Sequence, residues 1–330
     1  MIQMKRAFKL LGYAVGALVL LAGIVLAYIS IKGIPAYEVK MTPELNKLQV
    51  PRDSAHVARG AKIAAMLCQE CHLGPEGKLT GKVMAEVPKP FGMIASRNIT
   101  QDPEIGIGNW SDGELYYFLR TGIRKNGSWA PPFMPKLSRV GEEDIYAIIA
   151  WLRSDDPRLR PDRREYPPND YNLLVKVLCN TIFFAPELPA KPIPMPDSTD
   201  KIALGRYLAD NLLECYGCHS GDMMKVDPDN PANSFGYYGG GIEMQNMDGE
   251  VVRSANITMD TETGIGKFSE QQFVEAVKYG KNPRGGALQY PMTPHTVLTD
   301  HEVRAIYAFL KTVPVVHHKV ERYQPKITSR

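Results

Sequence analysis

The sequence predicts a mainly α protein: an N-terminal transmembrane helix followed by two tandem small helical domains. Three observations carry this. Residues 10–31 run without a charge. Residues 98–152 align without a gap on residues 256–310, 158 positions further along, with 16 of 55 positions identical. Apolar residues recur at helical spacing, and no convincing run of strand-type alternation appears. The expected boundaries are 1–34 for a cytoplasmic tip and anchor, 35–156 for the first domain, 157–197 for a proline-rich linker, and 198–330 for the second domain with its tail.

The 22 uncharged residues have the length needed to cross a hydrocarbon core of about 30 Å. Lys5, Arg6 and Lys9 precede them and are expected to stay cytoplasmic, sending the rest of the chain outward. A cleaved signal peptide would have a shorter apolar region, about 7 to 15 residues, and a small-x-small exit. The exit here, Ala27-Tyr28-Ile29-Ser30-Ile31, has no convincing site of that kind. An uncleaved single-pass anchor in a bacterial inner (cytoplasmic) membrane is expected, with both domains in the periplasm.

The net charge is only +3 over 330 residues, and no basic stripe with interleaved aromatics appears, so nucleic-acid binding is set aside. The five cysteines are an odd number for a disulfide framework. Four form close pairs, each followed at once by histidine: Cys68-Gln69-Glu70-Cys71-His72 and Cys215-Tyr216-Gly217-Cys218-His219. C-x-x-C-H reads as covalent attachment of a c-type haem. Two thiols add to the two vinyl groups on one porphyrin edge, and the histidine reaches the iron as proximal ligand. A zinc site would need further Cys or His at ligand spacing near each pair, and none is close. Two haem c groups are therefore expected, bound by Cys68, Cys71, Cys215 and Cys218, with His72 and His219 on the metal.

The repeat selects the sixth ligand. Methionine is a common partner of histidine in such centres and raises the reduction potential. Of Met84, Met93 and Met134, only Met134 falls on a methionine in the second copy, Met292. Both sit in proline-rich loops, Pro132-Phe133-Met134-Pro135 and Tyr290-Pro291-Met292-Thr293-Pro294, where fixed φ values stiffen a weak ligand's support. Met134 and Met292 are expected on the two irons. Met223, Met224, Met244, Met247 and Met259 are read as core fillers.

Helices are expected over 58–68 and 201–215, leading into the attachment motifs. Gly60 and Gly205 near their starts suit close approach of another helix. Further helices are expected over 142–153 and 300–311, with Ile145, Ile148, Ile149 and Leu152 on one face and Val303, Ile306, Tyr307 and Leu310 on its counterpart. Ser111 and Ser269 suit N-caps of helices over 111–120 and 269–279.

These residues resemble the cytochrome c subunits of bacterial membrane-bound alcohol, aldehyde and gluconate dehydrogenases. The matching features are Arg59-Gly60, Ser96-Arg97-Asn98-Ile99-Thr100, Gly106-Ile107-Gly108-Asn109-Trp110-Ser111, and the Met-Pro loop followed by the helix from Glu142 to Leu152. The resemblance covers roughly residues 50–315. It implies cytochrome c-like helical domains, His/Met ligation and electron transfer on the periplasmic face. Those subunits commonly carry three haems, and two motifs stand here. The implied partners are redox proteins: a membrane-bound dehydrogenase, a quinol-oxidising complex or a terminal oxidase. No catalytic residue is assigned. The alternative is a haem enzyme, peroxidase-like or sulfur-oxidising, with one exchangeable axial ligand.

Residues 173–184 are apolar and bounded by prolines, too short to span a bilayer. Wedging between the two domains is the favoured reading, with docking on a membrane surface or a partner as the alternatives; Cys179 within them is expected to be structural. His295, three residues after Met292, is a rival ligand, and His56, His301, His317 and His318 are expected in solvent. Arg97 and Arg253 are expected beside haem propionates.

Overall fold

The computed structural model describes residues 2–85, 87–246 and 248–321; Met247 lies outside them. Helix α1 (Ile2–Lys32) includes a long apolar stretch, Arg6–Lys32, with a mean hydropathy of 2.5 in its most apolar window. At about 1.5 Å per residue the stretch reaches roughly 40 Å. Its described side chains are exposed except Ile29. The chain then lies over the first helical group. Ala36 bridges Ser128, and the short α2 (Pro43–Asn46) packs on α5.

That group contains α3 (Ser54–Leu67), the one-turn α4 (Gln69–His72), α5 (Asp112–Thr121) and α6 (Glu142–Leu152). Helix α3 begins four residues earlier than its apolar pattern suggests, because the Asp53 carboxylate accepts from the amides of Ala55 and His56. Ser111 and Glu114 close a capping box on α5, and Gly122 ends it at φ 74, a conformation that favours glycine.

Helix α7 (Leu173–Thr181) follows, then α8 (Lys201–Arg206), which widens into a π-helical turn over Tyr207–Leu212 before α9 (Cys215–His219). Helices α10 (Glu270–Tyr279) and α11 (Asp300–Leu310) complete the chain's regular structure. They stand 158 residues beyond α5 and α6, end for end. Ser269 and Gln272 repeat the capping box, and Gly280 repeats the glycine stop at φ 67.

The main helix pair also recurs. A Cβ on Gly60 would lie 1.9 Å from the Ala147 carbonyl oxygen, and one on Gly205 would lie 1.9 Å from that of Ala305. Helix α3 thus crosses α6, and α8 crosses α11, at distances that only glycine permits. Ile145, Ile148, Ile149 and Leu152 are buried on α6, as Val303, Ile306, Tyr307 and Leu310 are on α11. Each such side chain contributes about 1.5–3 kcal/mol of burial. One continuous core runs through both groups, from Ile63 and Trp151 to Leu208 and Phe309. Two short antiparallel ribbons, β1 (Gly92–Met93) with β2 (Asp170–Tyr171) and β3 (Glu243–Gln245) with β4 (Val251–Arg253), are the strands among the described residues.

Two expectations are corrected. Helix α7 does not wedge between the helical groups. Val175 and Cys179, one turn apart, face a second small core made with Tyr117, Ile123 and Trp129 of the first group. Its outer side meets the end of α1. Met223 and Met224 are not core fillers, being 59% and 58% exposed in a loop that follows the second attachment motif. Met259 does pack on the core.

Candidate functional site

Each attachment motif folds as a single helical turn, Gln69–His72 after α3 and Cys215–His219 after α8 and its π-helical turn. His72 is buried, and its Nδ1 lies 2.6 Å from the Arg97 carbonyl oxygen. His219 Nδ1 lies 2.8 Å from the Ala255 carbonyl oxygen. Positions 97 and 255 are 158 residues apart, so the repeat supplies both acceptors. A carbonyl accepts only, so Nδ1 carries the proton in each ring and Nε2 holds the lone pair a metal needs. Burial also pushes His72 toward the neutral form, against the opposing bond to Arg97. Burial raises the thiols of Cys68 and Cys215 to about 12 and raises Cys218 as well. No cysteine forms a disulfide. The thiols of Cys68, Cys215 and Cys218 are thus held in their uncharged form.

The two methionine loops share one backbone scaffold. Met134 N–H donates to Pro131 and Met292 N–H to Gln289. Ala130 donates to Gly122 and Leu288 to Gly280, while Leu137 donates to Leu119 and His295 to Val277. Every member of one set falls on a member of the other at the repeat offset. The loops thus hold Met134 and Met292 at equivalent places, both half-buried.

The repeat also sets the two groups against each other reciprocally. The Met134 loop continues to Arg139, which donates to Asn211 Oδ1 at 2.9 Å and to the Pro228 carbonyl at 3.1 Å, beside the second motif. The Met292 loop lines a groove with Ala65 and Met66 of α3 and Glu70 of the first motif. Burial lowers Lys136 to about 7 and raises Glu214 to about 7, and their opposite charges attract across the same contact. His295 stands in this groove, hydrogen-bonded through its amide to Val277.

Beneath these loops lies a polar cluster that sequence reasoning missed. Arg59 donates to both oxygens of buried Asp144 at 2.8 Å and to Glu302 at 3.2 Å. Lys62 also pairs with Glu302. Tyr207 donates to Asp144 at 2.6 Å and accepts from the Gly141 amide. The available signal was the repeat, which puts Asp144 and Glu302 at one position. His301, His317 and His318 are exposed, as expected, while His56 is half-buried. His56 pairs with Asp53 and Glu143, and the ring nitrogens of His301, His317 and His318 meet Ser198, Asp260 and the Gly239 and Gly240 carbonyls. Arg253 pairs with Glu243 across its ribbon, and Arg97 donates to the Tyr166 carbonyl.

The family described as cytochrome c matches residues 57–155. The cytochrome c subunit of a quinone alcohol dehydrogenase from Gluconacetobacter polyoxogenes is 30% identical over 276 residues, 80% of this chain and 57% of that protein. The fructose dehydrogenase cytochrome subunit of Gluconobacter japonicus is 28% identical, over 79% of this chain and 54% of that one. A diheme cytochrome c-type protein of Cereibacter sphaeroides is 26% identical over 80% of this chain and 88% of its own length. The chain thus spans little more than half the length of the dehydrogenase subunits it matches. A solved chain of the Kuenenia stuttgartiensis reducing HAO-like complex aligns at a TM-score of 0.23 and 14% identity, covering 81% of this chain and 99% of that one, too distant to fix a fold.

Proposed function

From the premise that this chain carries a cytochrome c domain and is homologous to cytochrome c subunits of quinone alcohol, fructose and gluconate dehydrogenases, we propose that it carries electrons through two c-type haems. Cys68 and Cys71 bind one, between His72 and Met134; Cys215 and Cys218 bind the other, between His219 and Met292. Residues 35–156 and 198–330 are then two cytochrome c domains in tandem. Helix α1 anchors them in a bacterial inner membrane with both facing the periplasm, where they serve a membrane-bound dehydrogenase or another respiratory complex.

The observation that carries this reading is the double coincidence at the repeat offset: two imidazoles locked by carbonyls at positions 97 and 255, and two methionine loops on one scaffold. A bound haem supplies reversible one-electron chemistry at its iron. The residues do the rest. Arg97 and Ala255 orient the imidazoles. The proline-bounded loops would hold the Met134 and Met292 thioethers toward the irons, where such a ligand raises the potential. The reciprocal contacts bring each methionine loop against the other motif, which supports transfer between the two centres.

The test is covalent haem content of the purified full chain by intact mass and by pyridine haemochrome absorbance. Two haems per chain are expected, falling to one in Cys68→Ser/Cys71→Ser and in Cys215→Ser/Cys218→Ser. One haem in the unaltered chain, or two retained in either variant, contradicts the assignment. Copurification from gently solubilised membranes identifies the partner complex.

A further inference from the structure

Helix α7 is apolar on two sides and covered on one. Val175 and Cys179 are buried against the first helical group. On the open side Leu173 and Leu174 are 43% and 46% exposed, and just beyond the helix Ile182 and Phe184 are 50% and 63% exposed. A short helix with apolar residues on a second side ordinarily has that side covered too. Its position says what covers the second. Lys176 Nζ reaches the Ser30 carbonyl at 3.3 Å, and Asn180 donates to the Gly33 carbonyl at 2.9 Å. Ile29, the buried residue of α1, belongs to the same last turns of that helix. Helix α7 is therefore fixed to α1 at the level where the chain leaves its apolar stretch.

We propose that residues 173–184 form a foot that rests in the surface of the lipid bilayer and sets the height and tilt of the first helical group above it. The proposal rests on the reading that α1 spans the membrane. Arg6–Lys32 is about 10 Å longer than a hydrocarbon core of about 30 Å, so its end lies in the headgroup layer, and α7 lies there with it. The chemistry suits that layer. Lys32 and Lys176 flank the apolar patch, and Asn172 ties it to the Lys89 carbonyl, bringing a third lysine near. Aliphatic side chains sink toward the acyl chains while lysines reach lipid phosphates. Phe184 and Tyr28 add amphipathic and aromatic surface at the same level. A flush fit against lipid also accounts for an apolar patch that is continuous with the anchor rather than isolated on the surface.

The test places the photoreactive residue p-benzoyl-phenylalanine at one position at a time in the full haem-loaded chain, in nanodiscs of phosphatidylcholine and phosphatidylglycerol and in native membranes. The positions are Leu18 in mid-span, Phe184 in the foot, and Phe235, equally exposed on the second helical group. Irradiation followed by mass spectrometry reads the adduct. Lipid adducts at 18 and 184 and none at 235 are expected. Adding Leu174→Asp and Ile182→Asp should abolish the adduct at 184 and leave that at 18, with the haem spectrum unchanged. Lipid at 18 with none at 184 overturns the foot and leaves the span standing. Crosslinks from 184 to a second copy of this chain or to another polypeptide, instead of lipid, also overturn it. Lipid at 235 as strong as at 184 does the same, and no lipid at 18 removes the span on which the foot rests.

Discussion

Asp144 and Glu302 stand at the same position of the repeat, 158 residues apart, and both accept from the single guanidinium of Arg59. Asp144 opens the buried side of α6 and Glu302 that of α11. The residue matching Arg59 in the second copy, one before Gly205, is Leu204. One arginine from α3 therefore serves both copies and fixes the angle between them. Burial alone would lower the pKa of Arg59, yet the hydrogen bonds and charge of Asp144, with Glu302, raise it. The guanidinium is thus held firmly in its charged form.

Removing Arg59 leaves a buried carboxylate unpaired. Arg59→Ala is expected to destabilise the holoprotein by about 3 kcal/mol, the lower end for a broken buried pair, because the arginine is itself partly exposed. Thermal unfolding of the haem-loaded chain reads this. Arg59→Lys keeps the charge but loses the fork on Asp144, so an intermediate loss is expected. Flash-initiated electron transfer between the haems should slow in Arg59→Ala while their potentials stay close to the original. An unchanged rate would show that the cluster stabilises the interface without setting haem placement.

The glycine crossings predict a matched pair of defects. Gly60→Ala and Gly205→Ala each drive a methyl group into a helix carbonyl at 1.9 Å. Overpacking of this kind costs about 1–3 kcal/mol, set against the small gain from replacing a helical glycine. Each variant should melt earlier than the parent by a similar margin. Melting unchanged from the parent in both variants would mean that the helix pairs cross less closely than described.

Acid should loosen the interface before it unfolds the helices. Burial raises the pKa of Glu302, but the Lys62 hydrogen bond and the Thr299 amide outweigh it, leaving the carboxyl below its ordinary 4.5. A depressed carboxyl contributes stability that is present above the unfolded pKa and lost as pH falls through the folded one. Stability should therefore hold at neutral pH and decline once pH drops below about 4.5. In Glu302→Gln that part of the decline should be smaller. Denaturant titrations of both proteins across pH 3–6 read the difference; parallel curves would contradict the linkage.

Much of this was legible because the same pattern was written twice. The second copy singled out Met134 from Met84 and Met93 and matched the two serine caps, and the glycines before the attachment motifs marked the helix crossings. What stayed hidden depends on contacts between segments far apart in sequence. Arg59 meets Glu302 across 243 positions, and Lys176 meets Ser30 across 146. Apolar content cannot say which neighbour covers α7, and so wedging between the domains was favoured where the helix in fact packs on the first group and on α1. Met223 and Met224 lie in the stretch the repeat does not cover: Gly240 follows His219 by 21 residues where Gly81 follows His72 by nine. With no counterpart to compare, methionine alone did not separate core from surface.

Potentiometric titration of the full chain beside its Met134→Ala and Met292→Ala variants bears most directly on the two-centre assignment. The parent should titrate as two one-electron centres. Each variant should lower one midpoint by on the order of 100 mV or more and leave the other nearly in place, since a thioether axial ligand raises the potential. Midpoints that do not move in either variant, or that both move in one, would contradict one methionine on each iron.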